Sequence, residues 1–184
     1  MDRAVGLIEL KSIARGILVA DTMVKAARVT LITARPICPG KYLVLVGGEV
    51  GAVESAVAAG FQAAGESLVQ SFVIPNLHPQ VFPALSGATE AGLRQALGII
   101  ETFSVVTSIV AADAAVKAAA VDLIEVRVAV GLGGKAFVTL TGEVASVEAA
   151  VQAGANRARE DGDLVETIVI PAADKDVMQT ITFG

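Results

Sequence analysis

The residue with the clearest potential for metal or redox chemistry is Cys38, the single cysteine among 184 residues. Pro36 and Pro39 restrict the backbone on either side of it and Gly40 permits a sharp turn, so we expect a stiff loop to hold the thiol. One thiolate cannot bind a metal cluster alone, but three copies around a three-fold axis could hold an iron-sulfur cluster. The alternative is an unreactive loop cysteine that behaves as a small apolar residue.

Other polar residues are weaker candidates for catalysis. His78 is the only histidine; it could act as a ligand or a base, but we expect it to be a surface or interface residue. Glu9 and Glu101 occupy matching apolar segments, and paired carboxylates can carry acid-base chemistry. The glycine-rich residues 131–134 lack the spacing of a phosphate-binding loop, so we interpret them as a loop between hairpin strands. No nucleophile, base and orienting group converge, so we predict that the protein is not an enzyme.

The composition is typical of a globular protein with a core of small aliphatic side chains. Hydrophobic residues make up 54% of the chain, aromatic residues make up 4%, and the formal net charge is -5. The basic residues are scattered, which argues against nucleic acid as a partner. The longest segment without acidic or basic residues, 67–89, contains three prolines, so we predict no membrane-spanning helix. A single cysteine and the absence of a signal-like N-terminal pattern predict a cytoplasmic protein.

The chain is predicted to be a tandem repeat of one domain of about 90 residues. The matching segments, displaced by 92 to 96 positions, are residues 5–13 and 97–105, 20–27 and 112–119, 48–54 and 142–148, and 74–75 and 170–171. The displacement grows in the Cys38 loop and again near residues 160–163, so the copies differ at loops. We therefore predict a first domain at 1–86, a small polar linker at 87–94 and a second domain at 95–184.

Each copy predicts the same order of elements: strand, helix, strand, strand, helix, strand and short helix. Ser12 is the predicted N-cap of the first helix. That helix has an apolar stripe composed of Ile13, Ile17, Ala20 and Val24. Two short β-branched runs flank the Cys38 loop and predict a hairpin. The order predicts an α+β, ferredoxin-like fold in which helices cover a four-stranded antiparallel sheet.

Taken in order, these segments resemble the bacterial microcompartment shell domain. The resemblance rests on residues 5–9, 21–27, 40–41, 47–50 with Val53, and 74–75 followed by His78. It covers nearly the whole chain and occurs in both copies. It implies two tandem shell domains and a homotrimer that looks like a hexamer, because six domains from three chains form one flat tile. It also implies lateral contacts with other shell proteins and a location in a microcompartment shell within the cytoplasm.

The Cys38 loop resembles that of tandem-domain shell proteins of propanediol-utilisation microcompartments. This implies that Cys38 from three chains meets at a central pore and ligates one 4Fe-4S cluster per trimer. The second copy departs from this pattern, since its loop has no cysteine. The residues predicted to form the pore loops are Pro36, Ile37, Cys38, Pro39, Gly40, Gly131, Leu132, Gly133 and Gly134.

Matched pairs of an acidic and a basic residue occur in the two copies. Each pair is four residues apart on a predicted helix, where an exposed pair adds only roughly a few tenths of a kcal/mol. The resemblance implies instead that the two lysines meet neighbouring tiles, and it places the single histidine nearby. The predicted edge residues are Asp21, Lys25, His78, Asp113 and Lys117.

The sequence thus predicts a structural shell protein that tiles a facet and carries a 4Fe-4S cluster. The cluster would pass electrons or cluster components across the shell to serve encapsulated redox enzymes. One alternative is a shell protein without a cluster, whose central pore conducts small polar metabolites and is gated by the Cys38 loop or the glycine loop. A second alternative is a soluble ligand-binding or regulatory trimer of similar fold, which would not assemble with other shell proteins.

Overall fold

The structure is a computed structural model that describes residues 4–89, 96–128 and 133–183. The described residues divide into two compact units. The first comprises residues 4–77 and 133–134, and the second comprises residues 78–89, 96–128 and 135–183. Residues 78–86 therefore belong to the second unit by their contacts, although the repeat assigns them to the first copy. The linker predicted at 87–94 lies partly outside the described residues, and its boundaries stay a prediction.

The first unit is a four-stranded antiparallel sheet with two helices. Its elements are β1 (Ala4–Leu10), α1 (Ile13–Ala26), β2 (Thr30–Ile37), β3 (Lys41–Gly48), α2 (Val50–Ala64), a 3-10 turn (Gly65–Ser67) and β4 (Leu68–Ile74). The strand order is β2-β3-β1-β4. Strand β1 lies at the centre, where Leu7 faces Leu45 of β3 and Phe72 of β4. The fold class predicted from the order of elements is confirmed.

The second unit repeats this architecture and adds a helix at each end. Its elements are α3 (Val81–Ser86), β5 (Ala96–Thr102), α4 (Val105–Ala118), β6 (Val121–Arg127), β7 (Ala136–Gly142), α5 (Val144–Glu160), β8 (Leu164–Ile170) and α6 (Lys175–Phe183). The strand order β6-β7-β5-β8 matches that of the first unit. The extra residue in β2 near Ile32 recurs in β6 near Ile124, so the repeat extends to the irregularities of the sheet.

The first helix of each copy begins at a capping serine. Ser12 is extended, and its hydroxyl oxygen accepts a hydrogen bond from Arg15 N at 3.3 Å. Ser104 makes the same contact with Thr107 N at 3.3 Å. A serine in this position satisfies a backbone donor that the helix leaves unpaired at its start. The predicted N-cap is therefore confirmed.

The apolar stripe predicted for the first helix does not coincide with its buried face. The buried residues of α1 are Gly16, Val19, Ala20 and Met23. Ile17, in the predicted stripe, is 57% exposed. Gly16 permits this arrangement, because a Cβ there would lie 2.4 Å from the ring of Tyr42, so α1 packs against β3 through its glycine side. Most of the stripe is left on the surface of the unit.

Helix α5 approaches β5 and α4 closely at Gly154. A Cβ at this position would lie 2.5 Å from Ile100 Cδ1 and 2.8 Å from the carbonyl oxygen of Ala111. Side chains shift easily, but a backbone carbonyl in a neighbouring helix does not. The glycine therefore sets the distance between the two helices of the second unit.

Gly154→Ala is expected to lower the free energy of unfolding by about 1–3 kcal/mol, because the added methyl group overpacks the contact between α4 and α5. Thermal denaturation followed by circular dichroism measures the change. The matched control is Gly51→Ala in α2, where no atom lies within 4 Å of an added Cβ. That substitution should raise stability by about 0.5–1 kcal/mol, since alanine favours helix. Equal effects at both positions would contradict the proposed role of Gly154.

Candidate functional site

The Cys38 loop is a tight turn between β2 and β3. Residues 38–40 form the turn, and Gly40 has a φ of 69°, a backbone conformation that favours glycine. Ile37 is buried and Cys38 is half-buried, whereas Pro39 and Gly40 are exposed. The buried isoleucine thus anchors the turn to the sheet and leaves its tip on the surface. Pro36, the remaining residue predicted for this loop, lies exposed within β2.

The glycine loop of the second copy reaches the Cys38 loop. Gly133 and Gly134 have φ values of 62° and 92°, so both conformations favour glycine. A Cβ at Gly134 would lie 2.8 Å from Cδ of Pro39. The structure therefore brings together Pro39 and Gly134, one residue from each predicted pore loop. Gly131 and Leu132, also predicted for the pore, lie outside the described residues.

A carboxylate and a lysine join the base of each hairpin to the central strand. Lys41, which follows the Cys38 loop, donates to Glu9 Oε1 at 2.7 Å, and the Glu9 side chain is fully buried. In the second copy, Lys135 donates to Glu101 Oε1 at 2.9 Å, and both side chains are partly exposed. The matched glutamates thus form ion pairs with the matched lysines. The repeat predicted the matching glutamates, whereas sequence patterns did not indicate that these lysines would pair with them.

The predicted edge residues form two equivalent pairs in different surroundings. Lys25 donates to Asp21 Oδ2 at 2.6 Å, and both side chains are more than half exposed. Lys117 donates to Asp113 Oδ2 at 2.5 Å, and this aspartate side chain is only 10% exposed. Asp113 also accepts from the backbone N of His78 at 2.7 Å. The second pair is therefore covered, whereas the first lies in solvent.

Residues 78–89, here called the docking segment, cover the edge strand of the second unit. The Gln80 side chain accepts from Leu123 N at 2.9 Å, and the Thr89 hydroxyl donates to Ile124 O at 2.7 Å. These two contacts satisfy backbone groups that an edge strand leaves unpaired, and the bond from His78 N to Asp113 joins the same segment to α4. Sequence patterns did not reveal the roles of Gln80 and Thr89, because a single glutamine or threonine carries no periodic signal.

The equivalent surface of the first copy is exposed. Ile17 of α1 is 57% exposed, whereas its counterpart Ile109 of α4 is fully buried. The exposed apolar set on α1 and the adjoining face of β2, here called the α1 patch, comprises Ile13, Ile17, Leu18 and Leu31. Large aliphatic side chains left in water on one helix and its neighbouring strand mark a surface that another protein segment can cover. Ile32 is also exposed but lies on the opposite face of the sheet, against Gly47, and its counterpart Ile124 is buried with Met178.

The prediction of a 4Fe-4S cluster is corrected by the side chains present. The chain supplies one thiolate, that of Cys38. Across residues 4–89, 96–128 and 133–183, no group of three or more His, Cys, Asp or Glu side chains lies together so that it could hold a metal ion. Within these ranges, Cys38 therefore belongs to no group of side chains that could hold a metal centre. The assignment of Cys38 as a cluster ligand was wrong, and no electron-transfer role is derived from it.

In the part of the chain that the structure describes, no helix combines the length and the apolar character needed to cross a membrane.

Known proteins share the sequence pattern of both copies. A family model described as the BMC domain matches residues 4–77 and 96–173. The bacterial microcompartment shell protein PduT of Citrobacter freundii is 45% identical over 184 residues, which is 100% of both chains. The carboxysome assembly protein CcmO of Synechocystis is 31% identical, and the match covers 98% of this chain and 65% of that protein.

Solved structures share the fold. The crystal structure of a microcompartment protein from Desulfitobacterium hafniense has a TM-score of 0.86 and 54% sequence identity, with 96% of this chain and 98% of that chain covered. A fused permuted hexameric shell protein, MSM0275, has a TM-score of 0.63 at 23% identity. The second likeness supports the fold alone.

Proposed function

Because the chain belongs to the bacterial microcompartment shell protein family and carries a BMC domain in each half, we propose that it forms a homotrimeric tile of a shell facet with a central pore. It is a structural shell protein and not an enzyme. The tile would contain six domains from three chains. It would contact other shell proteins laterally and conduct small polar metabolites through its centre. The association with shell proteins is drawn from the relatives, and the homotrimer and pore are inferred from this chain.

The observation that carries the homotrimer is the contrast between equivalent surfaces of the two copies. In the second copy, Asp113 is covered by His78 of the docking segment. In the first copy, the matching Asp21 is exposed. By the repeat, the position that matches His78 is Asp174, directly before α6. We infer that the segment around Asp174 of a second copy of this chain covers the first-copy surface.

A contact of this kind is heterologous, because it joins two different surfaces. Heterologous contacts generate a ring when the rotation between neighbouring chains closes, and an open filament when it does not. Each chain has one surface that its own docking segment covers and one that a second chain would cover. A closed ring of three chains therefore contains six such contacts, three within chains and three between chains. The α1 patch supports this inference, since ring closure would bury apolar side chains that a monomer leaves in water.

The proposed pore lies where the two hairpin loops of each chain meet. Pro39 and Gly134 lie in contact, so one chain contributes both loops at one place. Three chains around an axis would place these short turns around an opening. Their polar backbone groups and small side chains suit the passage of polar solutes. The regulatory trimer considered above is not favoured, because the matching relatives are shell proteins.

Cys38→Trp is expected to slow the entry of a small polar solute into reconstituted shells severalfold, because the larger side chain would narrow the opening. Stopped-flow uptake of propanediol into shells co-assembled with this protein measures the rate. Cys38→Ser is the matched control and should retain the wild-type rate. Light scattering should show three chains per particle in all three proteins. A monomer in the wild type would overturn the homotrimer, and unchanged uptake in the tryptophan variant would overturn the pore.

A further inference from the structure

The second unit has a cavity of about 410 Å³ on the face of its sheet opposite α5. Alternation along β5 explains the location: Gly98 faces the side chains of α5, so Ile99 and Glu101 point to the other face. Helix α6 closes one side. The lining residues are Ile99, Glu101, Glu125, Arg127, Phe137, Thr139, Glu166, Ile168, Thr180 and Ile181. The volume is within the range of small-molecule sites, roughly 300–1,000 Å³.

The cavity has two cross-strand rows of different chemistry. One row is mostly charged and runs through Arg127, Phe137, Glu101 and Glu166. The other is mostly uncharged and runs through Glu125, Thr139, Ile99 and Ile168. A small molecule in the cavity would therefore contact polar groups on one side and aliphatic side chains on the other.

One carboxylate of the cavity has no cationic partner. Glu125 pairs with Arg127 at 2.5 Å, and Glu101 pairs with Lys135 at 2.9 Å. Glu166 faces Glu101 across the sheet. Among the described residues, Glu166 makes no ion pair or side-chain hydrogen bond. Two carboxylates opposite each other with one cation repel, so the site favours an added positive charge.

A buried hydroxyl lines the same cavity. Thr139 is 3% exposed, and its Oγ1 has no hydrogen-bond partner in the described part of the protein. A buried polar atom without a partner costs free energy, which a ligand donor would recover. This is a second observation, independent of the charge of Glu166, that favours a polar ligand in the cavity.

We propose that this cavity binds a small organic cation, a primary ammonium with a short aliphatic body. The ammonium group donates to Glu166, and Glu101 lies opposite to add negative potential. The aliphatic body packs against Ile99, Ile168 and Ile181. The proposal concerns the second copy alone, uses α6 as it packs against its own sheet, and does not rest on the pore.

The first copy lacks the chemistry of this site. By the repeat, the positions that match Glu166 and Thr139 hold Gln70 and Leu45. A glutamine has no charge, and the leucine is buried. The first copy thus supplies substitutions that the same fold already accommodates. These make matched variants for a binding test.

Isothermal titration of the full-length protein with butylammonium, 1-butanol and butyrate tests the proposal. Butylammonium should bind saturably and about tenfold more tightly than 1-butanol, a difference of about 1.4 kcal/mol, and butyrate should not saturate. Methyl NMR should show the shifts at Ile99, Ile168 and Ile181. Glu166→Gln should remove the preference for butylammonium, and Thr139→Leu should weaken both neutral and cationic ligands. Glu148→Gln, an exposed glutamate in α5, is the control and should bind as the wild type does.

Three results would overturn the proposal. The first is no saturable binding of butylammonium to the folded wild-type protein. The second is equal affinity for butylammonium and 1-butanol. The third is equal loss in Glu166→Gln and Glu148→Gln, which would mean that the cation responds to overall charge. Because Glu166 is exposed, its substitution should leave folding intact, so the charge test stands even if Thr139→Leu fails to fold.

Discussion

Ile17→Lys is expected to leave a folded monomer under conditions in which the wild-type protein is a trimer. Ile17 is the most exposed residue of the α1 patch, and the proposed ring buries this patch at three contacts. A buried lysine without a partner would cost each contact about 2 kcal/mol or more. Since the ring needs all three contacts, the trimer should be undetectable by light scattering at micromolar concentration.

The control for this prediction uses an equally exposed apolar residue outside the patch. Phe103 is 53% exposed, and the repeat places Lys11 at the matching position of the first copy. Phe103→Lys should therefore leave the trimer intact. Circular dichroism should show native helix content in both variants. A trimeric Ile17→Lys protein, or equal dissociation of both variants, would exclude the α1 patch as the subunit contact.

Glu9→Gln should produce the second large effect, a loss of about 3–5 kcal/mol in the free energy of unfolding. Glu9 is fully buried and pairs with Lys41 at 2.7 Å. Removal of its charge leaves the lysine next to a neutral amide in surroundings that solvate it poorly. Urea denaturation at one fixed protein concentration measures the change.

Glu101→Gln is the matched control, because Glu101 and Lys135 are both partly exposed. Water screens that pair, so the loss should be about 1 kcal/mol or less. The double variant Glu9→Gln with Lys41→Met should recover part of the stability lost in Glu9→Gln, since it removes the unpaired buried charge. Similar losses for Glu9→Gln and Glu101→Gln would contradict the distinction between a buried and an exposed pair.

Local patterns predicted most of the fold. Ser12 precedes an apolar helical segment, and the matching Ser104 repeats that signal, so two independent copies agreed on the same cap. The β-branched runs around Gly40 predicted a hairpin because a turn between two such runs has few other solutions. Because each local sequence pattern occurs in both copies, each predicted element had two supporting segments. The order of these segments gave the family resemblance.

The environment of each residue could not be predicted in the same way. Ile17 and Ile109 occupy equivalent positions on equivalent helices, yet one is exposed and the other is buried. Helical periodicity is the same for a residue that faces the core and for one that faces another subunit. The cluster assigned to Cys38 failed for a related reason, since a motif says which ligand is available but not which side chains surround it.

Sequence patterns also did not predict the cavity in the second unit. Its residues come from four strands and a helix, and Glu101 and Glu166 are 65 positions apart. Only the register of the sheet places them opposite each other. A substitution such as Leu45 in one copy and Thr139 in the other looks like ordinary divergence until both are located on the same row of the sheet.

The docking segment also affects how assembly responds to dilution. In the proposed ring, three of the six docking contacts form within a chain and do not depend on concentration. The equilibrium concentration of the ring therefore depends on the third power of the free chain concentration. For a ring of six separate domains it would depend on the sixth power of the free domain concentration. A tenfold fall in free chain would lower the ratio of ring to free chain by about 10²-fold in the first case and about 10⁵-fold in the second. Fusion of the two domains thus allows a tile to persist at protein concentrations at which a ring of six separate chains would dissociate.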